Sequence, residues 1–67
     1  MTPYEENCLQ NASFFTAIRG ASPQNRIRAE FSSLDDAMSY AKNTFSDGRT
    51  MIYAVTDMGL SAHITNA

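Results

Sequence analysis

The side chains in this sequence that could perform chemistry are few, and their spacing matches no catalytic motif. His63 is the only histidine, and Ser61 lies two residues before it, on the same side of an extended segment. A hydrolytic triad also needs a group that orients the histidine, and no motif in the sequence supplies one. We therefore predict that the protein is not an enzyme and that His63 is a solvated residue on a strand.

Cys8 and the aspartates have structural interpretations. Cys8 is the only cysteine, which excludes an internal disulfide and, with a single histidine, leaves too few ligands for a zinc site. No histidine or basic residue is close to it in the sequence to activate the thiol. Helix capping and turn formation account for four aspartates: Asp35, Asp36, Asp47 and Asp57. The sequence predicts no metal and no cofactor.

A predicted amphipathic helix over residues 34–45 organises the chain. Ser33 fits its N-cap, and the acidic residues that follow suit the positive end of the helix dipole. Apolar residues recur at spacings of three and four and define one buried stripe: Leu34, Ala37, Met38, Ala41 and Phe45. Gly48 fits a left-handed stop just past the helix.

β-branched and aromatic residues and alternating polarity predict four strands: residues 13–19, 26–31, 50–57 and 60–65. The second strand alternates cleanly, with Ile27, Ala29 and Phe31 on the helix side. A turn over 20–25 joins the first two strands, since glycine and proline punctuate it.

The last two strands are predicted to form a hairpin with Met58-Gly59 as a two-residue loop, although a longer loop is an alternative. In the two-residue register, Val55 faces Ala62 and Tyr53 faces Ile64. The buried set then comprises alternate residues of both strands: Met51, Tyr53, Val55, Leu60, Ala62 and Ile64.

The elements predict an α+β fold of a single ββαββ domain over residues 13–67. One helix covers one face of a four-stranded, mainly antiparallel sheet, and the strand order is left open. Residues 1–12 form a separate segment. It is either a short helix, because Thr2-Pro3-Tyr4-Glu5 fits a capping box, or a frayed tail.

The face of the sheet away from the helix is the predicted binding surface. In the first predicted strand, the residues assigned to the helix side are Phe14, Thr16 and Ile18. The alternate residues of this strand then lie on the face away from the helix. The predicted partner-binding residues are Phe15, Arg19, Arg26, Arg28 and His63. Arginine with aromatic and aliphatic residues is a composition typical of protein interfaces. The alternative is that this face binds no partner and is an ordinary solvent-exposed sheet face with scattered apolar residues.

Charge bears on the kind of partner. From Ser13 onward five acidic residues balance five basic ones, whereas a dedicated nucleic-acid binder normally carries a basic excess. A host protein is therefore the favoured partner. A nucleic acid stays an alternative, since arginines and Phe15 on one sheet suit single strands. A homodimer is a third interpretation, because a chain this short has a small core.

The sequence contains no run of 18 apolar residues and no signal-peptide pattern at its N-terminus. We therefore expect no membrane association and a cytoplasmic location.

The order of elements carries a resemblance. The segment 28–37, RAEFSSLDDA, is a strand that ends in Phe31 and enters the helix through SSLDDA. This entry, within a ββαββ chain over residues 26–65, resembles the small accessory proteins encoded by bacteriophages, among them anti-CRISPR proteins. The resemblance implies a non-catalytic protein that binds and inhibits or modulates a host macromolecule from within the host cytoplasm.

Overall fold

The part of the chain that the structure describes forms two helices and one four-stranded sheet, as an α+β domain. The computed structural model describes residues 1–20, 22 and 24–67. The elements in chain order are α1 (Pro3–Gln10), β1 (Ala12–Arg19), β2 (Ile27–Phe31), α2 (Leu34–Thr44), β3 (Met51–Thr56) and β4 (Ser61–Asn66). The turn predicted over 20–25 includes Ala21 and Pro23, which lie outside the described residues.

Helix α2 begins where the sequence predicts and ends one residue earlier. The Ser33 hydroxyl oxygen accepts a hydrogen bond from the Asp36 N–H at 3.1 Å, which confirms the N-cap. The helix ends at Thr44, and Phe45, its C-cap, has an extended backbone (φ −136°). Gly48 is therefore not the helix stop; its positive φ of 72° belongs to a later turn. The carboxylate of Asp47 accepts from the Arg49 N–H at 3.1 Å in that turn.

The N-terminal segment is a helix rather than a frayed tail. Thr2 and Glu5 form a complete capping box: the Thr2 hydroxyl oxygen accepts from the Glu5 N–H at 3.2 Å, and the Thr2 N–H donates to the Glu5 carboxylate at 2.8 Å. The bond from the Thr2 backbone lowers the pKa of Glu5. Docking of Cys8, which is fully buried, holds this helix against the sheet.

The sheet has the order β2-β1-β3-β4, and every neighbouring pair is antiparallel. Strand β1 lies between β2 and β3, which gives the strand order that the sequence left open. Strands β2 and β4 form the two edges.

The β3–β4 hairpin has a three-residue loop, so the two-residue prediction is wrong. The Gly59 N–H donates to the Thr56 carbonyl at 3.1 Å, and Gly59 has a φ of 85°. The Thr56 N–H then donates to the Leu60 carbonyl at 2.8 Å, which closes the loop. This geometry is a turn followed by a left-handed residue, a common three-residue hairpin. The extra residue pairs Ala62 with Ala54 rather than with Val55.

This one-residue change inverts the predicted faces of β3. Ala62 faces the helices, as predicted, and its partner Ala54 must face the same way. Ile52 and Ala54 are therefore fully buried, whereas the predicted buried residues of β3 are only half-buried: Met51, Tyr53 and Val55. Leu60, also predicted to be buried, is 44% exposed.

Strand β1 is inverted in the same way. Phe15 and Ala17 pair with Ala54 and Ile52, so they face the helices, while Phe14 pairs with Val55 on the opposite face. The core favours small side chains because they let the helices approach the sheet closely. Its members are Cys8, Phe15, Ala17, Ala37, Ala41, Ile52, Ala54 and Ala62.

Both helices pack on this one face of the sheet. Helix α1 lies against β4 and β3, and helix α2 lies mainly against β1 and β2. The buried residues of both helices belong to the single core cluster on this face. The fold therefore presents one covered and one uncovered sheet face.

Candidate functional site

The uncovered face is defined by the residues that alternate with the buried set across the strand registers. Strands β1 and β3 contribute its centre, and strands β2 and β4 its margins. Its members are Phe14, Thr16, Ile18, Arg28, Glu30, Met51, Tyr53, Val55, Ser61 and His63.

The centre of the uncovered face is apolar and closely packed. Phe14 lies opposite Val55, and Ile18 lies opposite Met51; all four side chains are half-buried although they lie on the face opposite the core. Thr16, in the middle, is only 1% exposed. Neighbouring side chains on the sheet surface must therefore shield one another, and apolar residues of β1 and β3 lie side by side at the centre.

The margins of the uncovered face are polar. On β2, the guanidinium of Arg28 lies 3.0 Å from the carboxylate of Glu30, and both side chains are about half exposed. On β4, the His63 imidazole Nε2 lies 2.6 Å from the Asn66 side-chain oxygen. The His63 ring also stands edge-on to Tyr53, with centroids 5.5 Å apart. An apolar centre within a polar margin is the usual anatomy of a protein interface.

Phe15 was predicted on the open face, and this placement is wrong. Phe15 is 8% exposed and belongs to the core under the helices. Both faces of β1 carry apolar side chains, so alternation alone does not distinguish them; pairing with Ala54 decides the matter.

Arg19 was also predicted on the open face, and it too faces the helix side. Its two terminal nitrogens donate to the two carboxylate oxygens of Asp47 at 2.7 and 2.8 Å. Its guanidinium carbon lies 4.2 Å from the centre of the Phe45 ring. Arg19 therefore joins β1 to the segment that follows α2, and both of its terminal nitrogens donate within the fold.

The bidentate contact has an electrostatic signature. Hydrogen bonds from the Arg19 guanidinium, and then from the Arg49 backbone N–H, hold the pKa of Asp47 well below its ordinary value. The Arg19 side chain is 23% exposed and that of Asp47 42% exposed. Solvent therefore screens the pair, and its contribution lies more in geometry than in charge.

The other three predicted binding residues are surface residues. Arg28 and His63 lie on the uncovered face, as predicted. They are on opposite edge strands, and these strands are about 14 Å apart across three strand spacings. Arg26 is exposed but precedes β2, which begins at Ile27.

No protein-family model, curated protein or solved structure significantly matches this chain. The chemistry of its own surface must therefore carry the functional argument.

Other kinds of site have little support in the described ranges. No three His, Cys, Asp or Glu side chains there are grouped so as to hold a metal ion. No helix among those residues is both long and apolar enough to cross a membrane. A surface depression of about 230 Å³ lies between α1 and the hairpin loop, lined by Asn7, Asn11, Thr56, Asp57, Met58 and Leu60. Asp57 is the one titratable group in its lining.

Sequence reasoning missed the apolar residues that form the centre of the uncovered face, because it assigned them to the core. The signal that would have found them is the glycine at position 59: a left-handed residue at the end of a three-residue loop sets the register of β4 on β3. That register places Val55 on the uncovered face, and the pairing of β1 with β3 then places Phe14 there as well.

Proposed function

We propose that this chain is a non-catalytic binding module that binds and inhibits or modulates a partner protein through its uncovered face. The observation that carries the proposal is the apolar centre between β1 and β3, surrounded by polar residues and opposite to both helices. Such a surface contributes affinity through its aromatic and aliphatic centre and specificity through its margin.

The anchors of this interaction differ from those expected from the sequence. Phe14 and Tyr53 supply aromatic area at the centre, and Arg28 and His63 supply polar contacts at the margins. Aromatic residues and arginine carry a large share of the binding energy in known interfaces. Binding should therefore depend more on the centre than on the charged margin.

A protein partner is better supported than a nucleic acid. A nucleic-acid surface needs free cations beside rings on which bases stack. Here Arg19 is held by Asp47 on the other side of the sheet, Phe15 is in the core, and Arg28 is paired with Glu30.

The proposed setting is the cytoplasm of a bacterial host, with a phage as the source of the chain. The resemblance of residues 26–65 to phage accessory proteins supports this setting. A small rigid domain with one apolar face is suited to covering a functional surface of a larger protein. We therefore infer inhibition by occlusion.

The test is an affinity capture from bacterial lysate, in parallel with and without nuclease, with two matched variants. Val55→Lys places a charge at the centre of the uncovered face. Met58→Lys makes the same kind of change at the hairpin loop, where Met58 is 84% exposed. Circular dichroism first establishes that both variants are folded.

The proposal expects a discrete protein that survives nuclease and moderate salt, is retained by Met58→Lys and is lost with Val55→Lys. Capture that is lost on nuclease digestion would instead support the nucleic-acid alternative, since phosphate contacts weaken steeply with salt. Equal capture by both variants would show that the uncovered face does not bind the captured protein.

A further inference from the structure

Strand β2 is a regular edge strand. All five of its residues, Ile27–Phe31, are paired with β1 without a bulge. On its other side, no strand lies beside it in the described part of the chain. An edge strand presents unpaired N–H and C=O groups, and these can pair with a strand from another molecule.

The sequence of β2 is complementary to itself when a second copy runs antiparallel to it about a two-fold axis at Ala29. Ile27 then lies opposite the second copy's Phe31, and Arg28 opposite the second copy's Glu30. Residues so paired are separated by an even number of positions, so their main-chain groups point to the same side of the strand, as an antiparallel ladder requires. A two-fold interface needs this kind of self-complementarity.

The charges on β2 favour this register. Arg28 and Glu30 already lie within 3.0 Å of each other on the uncovered face. In the two-fold pairing, each of them gains an opposite charge directly across the strand interface. The four side chains form an alternating square in which every charge has two opposite neighbours. Opposite charges across strands stabilise pairing, and like charges destabilise it.

The neighbouring registers are disfavoured for the same reason. A slip by two residues in one direction puts Arg28 opposite the second copy's Arg28. A slip in the other direction puts Glu30 opposite the second copy's Glu30. Each slip also shortens the overlap of the two strands. One register is therefore selected by attraction within it and by repulsion in its neighbours.

The other side of β2 is complementary as well. Ile27 is 43% exposed, which is high for a large apolar residue on a strand. Phe31 is half-buried and packs on the Tyr40 ring, with centroids 5.1 Å apart. The two-fold pairing places Ile27 beside the second copy's Phe31 and covers it.

The other edge strand lacks these properties. The β3–β4 register shifts between Ile52 and Tyr53, and such irregularities distort an edge. The Tyr4 hydroxyl also donates to the Ser61 carbonyl at 2.8 Å, which occupies part of the main chain of β4.

We propose that two copies of this chain associate through their β2 strands, which joins two four-stranded sheets into one eight-stranded sheet. This inference goes beyond the proposed function, since it concerns the edge of the sheet and not the uncovered face. Apart from Arg28 and Glu30 at the joined edge, the uncovered faces of the two copies stay free and lie side by side, so the dimer would present two binding faces to a partner.

The first test is sedimentation of the purified chain over a range of concentrations, with charge variants. R28E puts two acidic residues on β2, and E30R puts two basic ones there. Each variant alone should have a dimer dissociation constant about tenfold or more above that of the unchanged chain, because both cross-strand pairs become repulsive. An equimolar mixture of the two variants should restore it as a heterodimer. K42E, which changes the charge equally on the exposed side of α2, should leave the dimer intact.

The second test places a cysteine on the two-fold axis. Opposite residues of an antiparallel pair have Cα atoms about 4.5–5.5 Å apart, which a disulfide can span. Ala29→Cys should therefore crosslink to itself under mild oxidation. The unchanged chain, whose only cysteine is the buried Cys8, is the control.

The outcomes separate clearly. A chain that is monomeric at every concentration, or a dimer that R28E does not weaken, would overturn the proposal. So would a mixture of R28E and E30R that stays monomeric while both variants are folded. Loss of the dimer in R28E, with the dimer retained in Val55→Lys, would show that the β2 edge and not the uncovered face holds the two copies together.

Discussion

Arg19 places its guanidinium 4.2 Å from the centre of the Phe45 ring, while both of its terminal nitrogens donate to Asp47. The arginine thus ties the end of β1 to the residues that follow α2. The planar guanidinium can stack on the aromatic ring and donate two hydrogen bonds to the carboxylate at the same time, which a lysine ammonium cannot do. This contact lies on the helix side of the sheet and not on the uncovered face, where the sequence predicts Arg19.

Arg19→Gln should lower the free energy of unfolding, because it removes the bidentate hydrogen bonds and the cation from the Phe45 ring. Arg19→Lys should recover only part of the loss. The measurement is chemical denaturation followed by circular dichroism. Arg49→Gln, an exposed change in the same turn, is the matched control. Equal stability of the Arg19 and Arg49 variants would contradict the structural role.

The same contact predicts a pH dependence. The pKa of Asp47 is lowered from its ordinary value of 3.8, chiefly by the Arg19 hydrogen bonds. A carboxyl group with a lowered folded-state pKa stabilises the fold above its unfolded pKa, and the stabilisation is lost as the pH falls below it. Unfolding should therefore become easier below about pH 4. Asp47→Asn should be less stable at neutral pH and show a shallower loss on acidification. If acidification lowered the stability of Asp47→Asn as steeply as that of the unchanged chain, Asp47 would not be the source of the pH dependence.

Gly20 is the glycine whose replacement should be most harmful. Its φ is 121°, and a Cβ there would lie 2.5 Å from the Asn25 carbonyl oxygen and 2.8 Å from the Arg26 Cα. Gly20→Ala should therefore destabilise the fold by more than about 1 kcal/mol, from strain and overlap together. Gly48→Ala, with φ 72° but nothing within 4 Å, should lose about 1 kcal/mol from strain alone. Thermal and denaturant unfolding of the two variants would check this order.

The N-cap of α2 gives a separate prediction. Ser33→Ala removes the acceptor for the Asp36 N–H and should cost about 1 kcal/mol of stability. Ser32→Ala, an exposed change one residue earlier, should have little effect. The measurement is the denaturant concentration at the midpoint of unfolding for each variant. Midpoints can be compared directly when the two variants have the same denaturant slope m. A loss of the same size in both variants would argue against the cap.

The fold class, the N-caps of both helices and the extent of each strand to within a residue or two could be predicted from local patterns, whereas the predicted stop at Gly48 was wrong. Caps and periodicity depend on residues close together in sequence, and these interactions are the same in any tertiary context. The faces of β1 and β3 could not be predicted, because both of their sides carry apolar residues and the register depends on one loop residue. The candidate site depended on that register, so Phe15 and Arg19 were misplaced, whereas Arg28 and His63 were not.

The inverted register can be tested directly with the adjacent residues Ala54 and Val55. Ala54 is fully buried under the helices, and Val55 is half-buried on the uncovered face. Ala54→Leu should overpack the core and cost about 1–3 kcal/mol. Val55→Leu, on a face that no described helix covers, should change the stability by no more than about 0.5 kcal/mol. Denaturant unfolding of both variants measures the difference. If Val55→Leu were the more damaging change, the two-residue hairpin register would be correct, and the uncovered face would have to be redefined around Ile52 and Ala54.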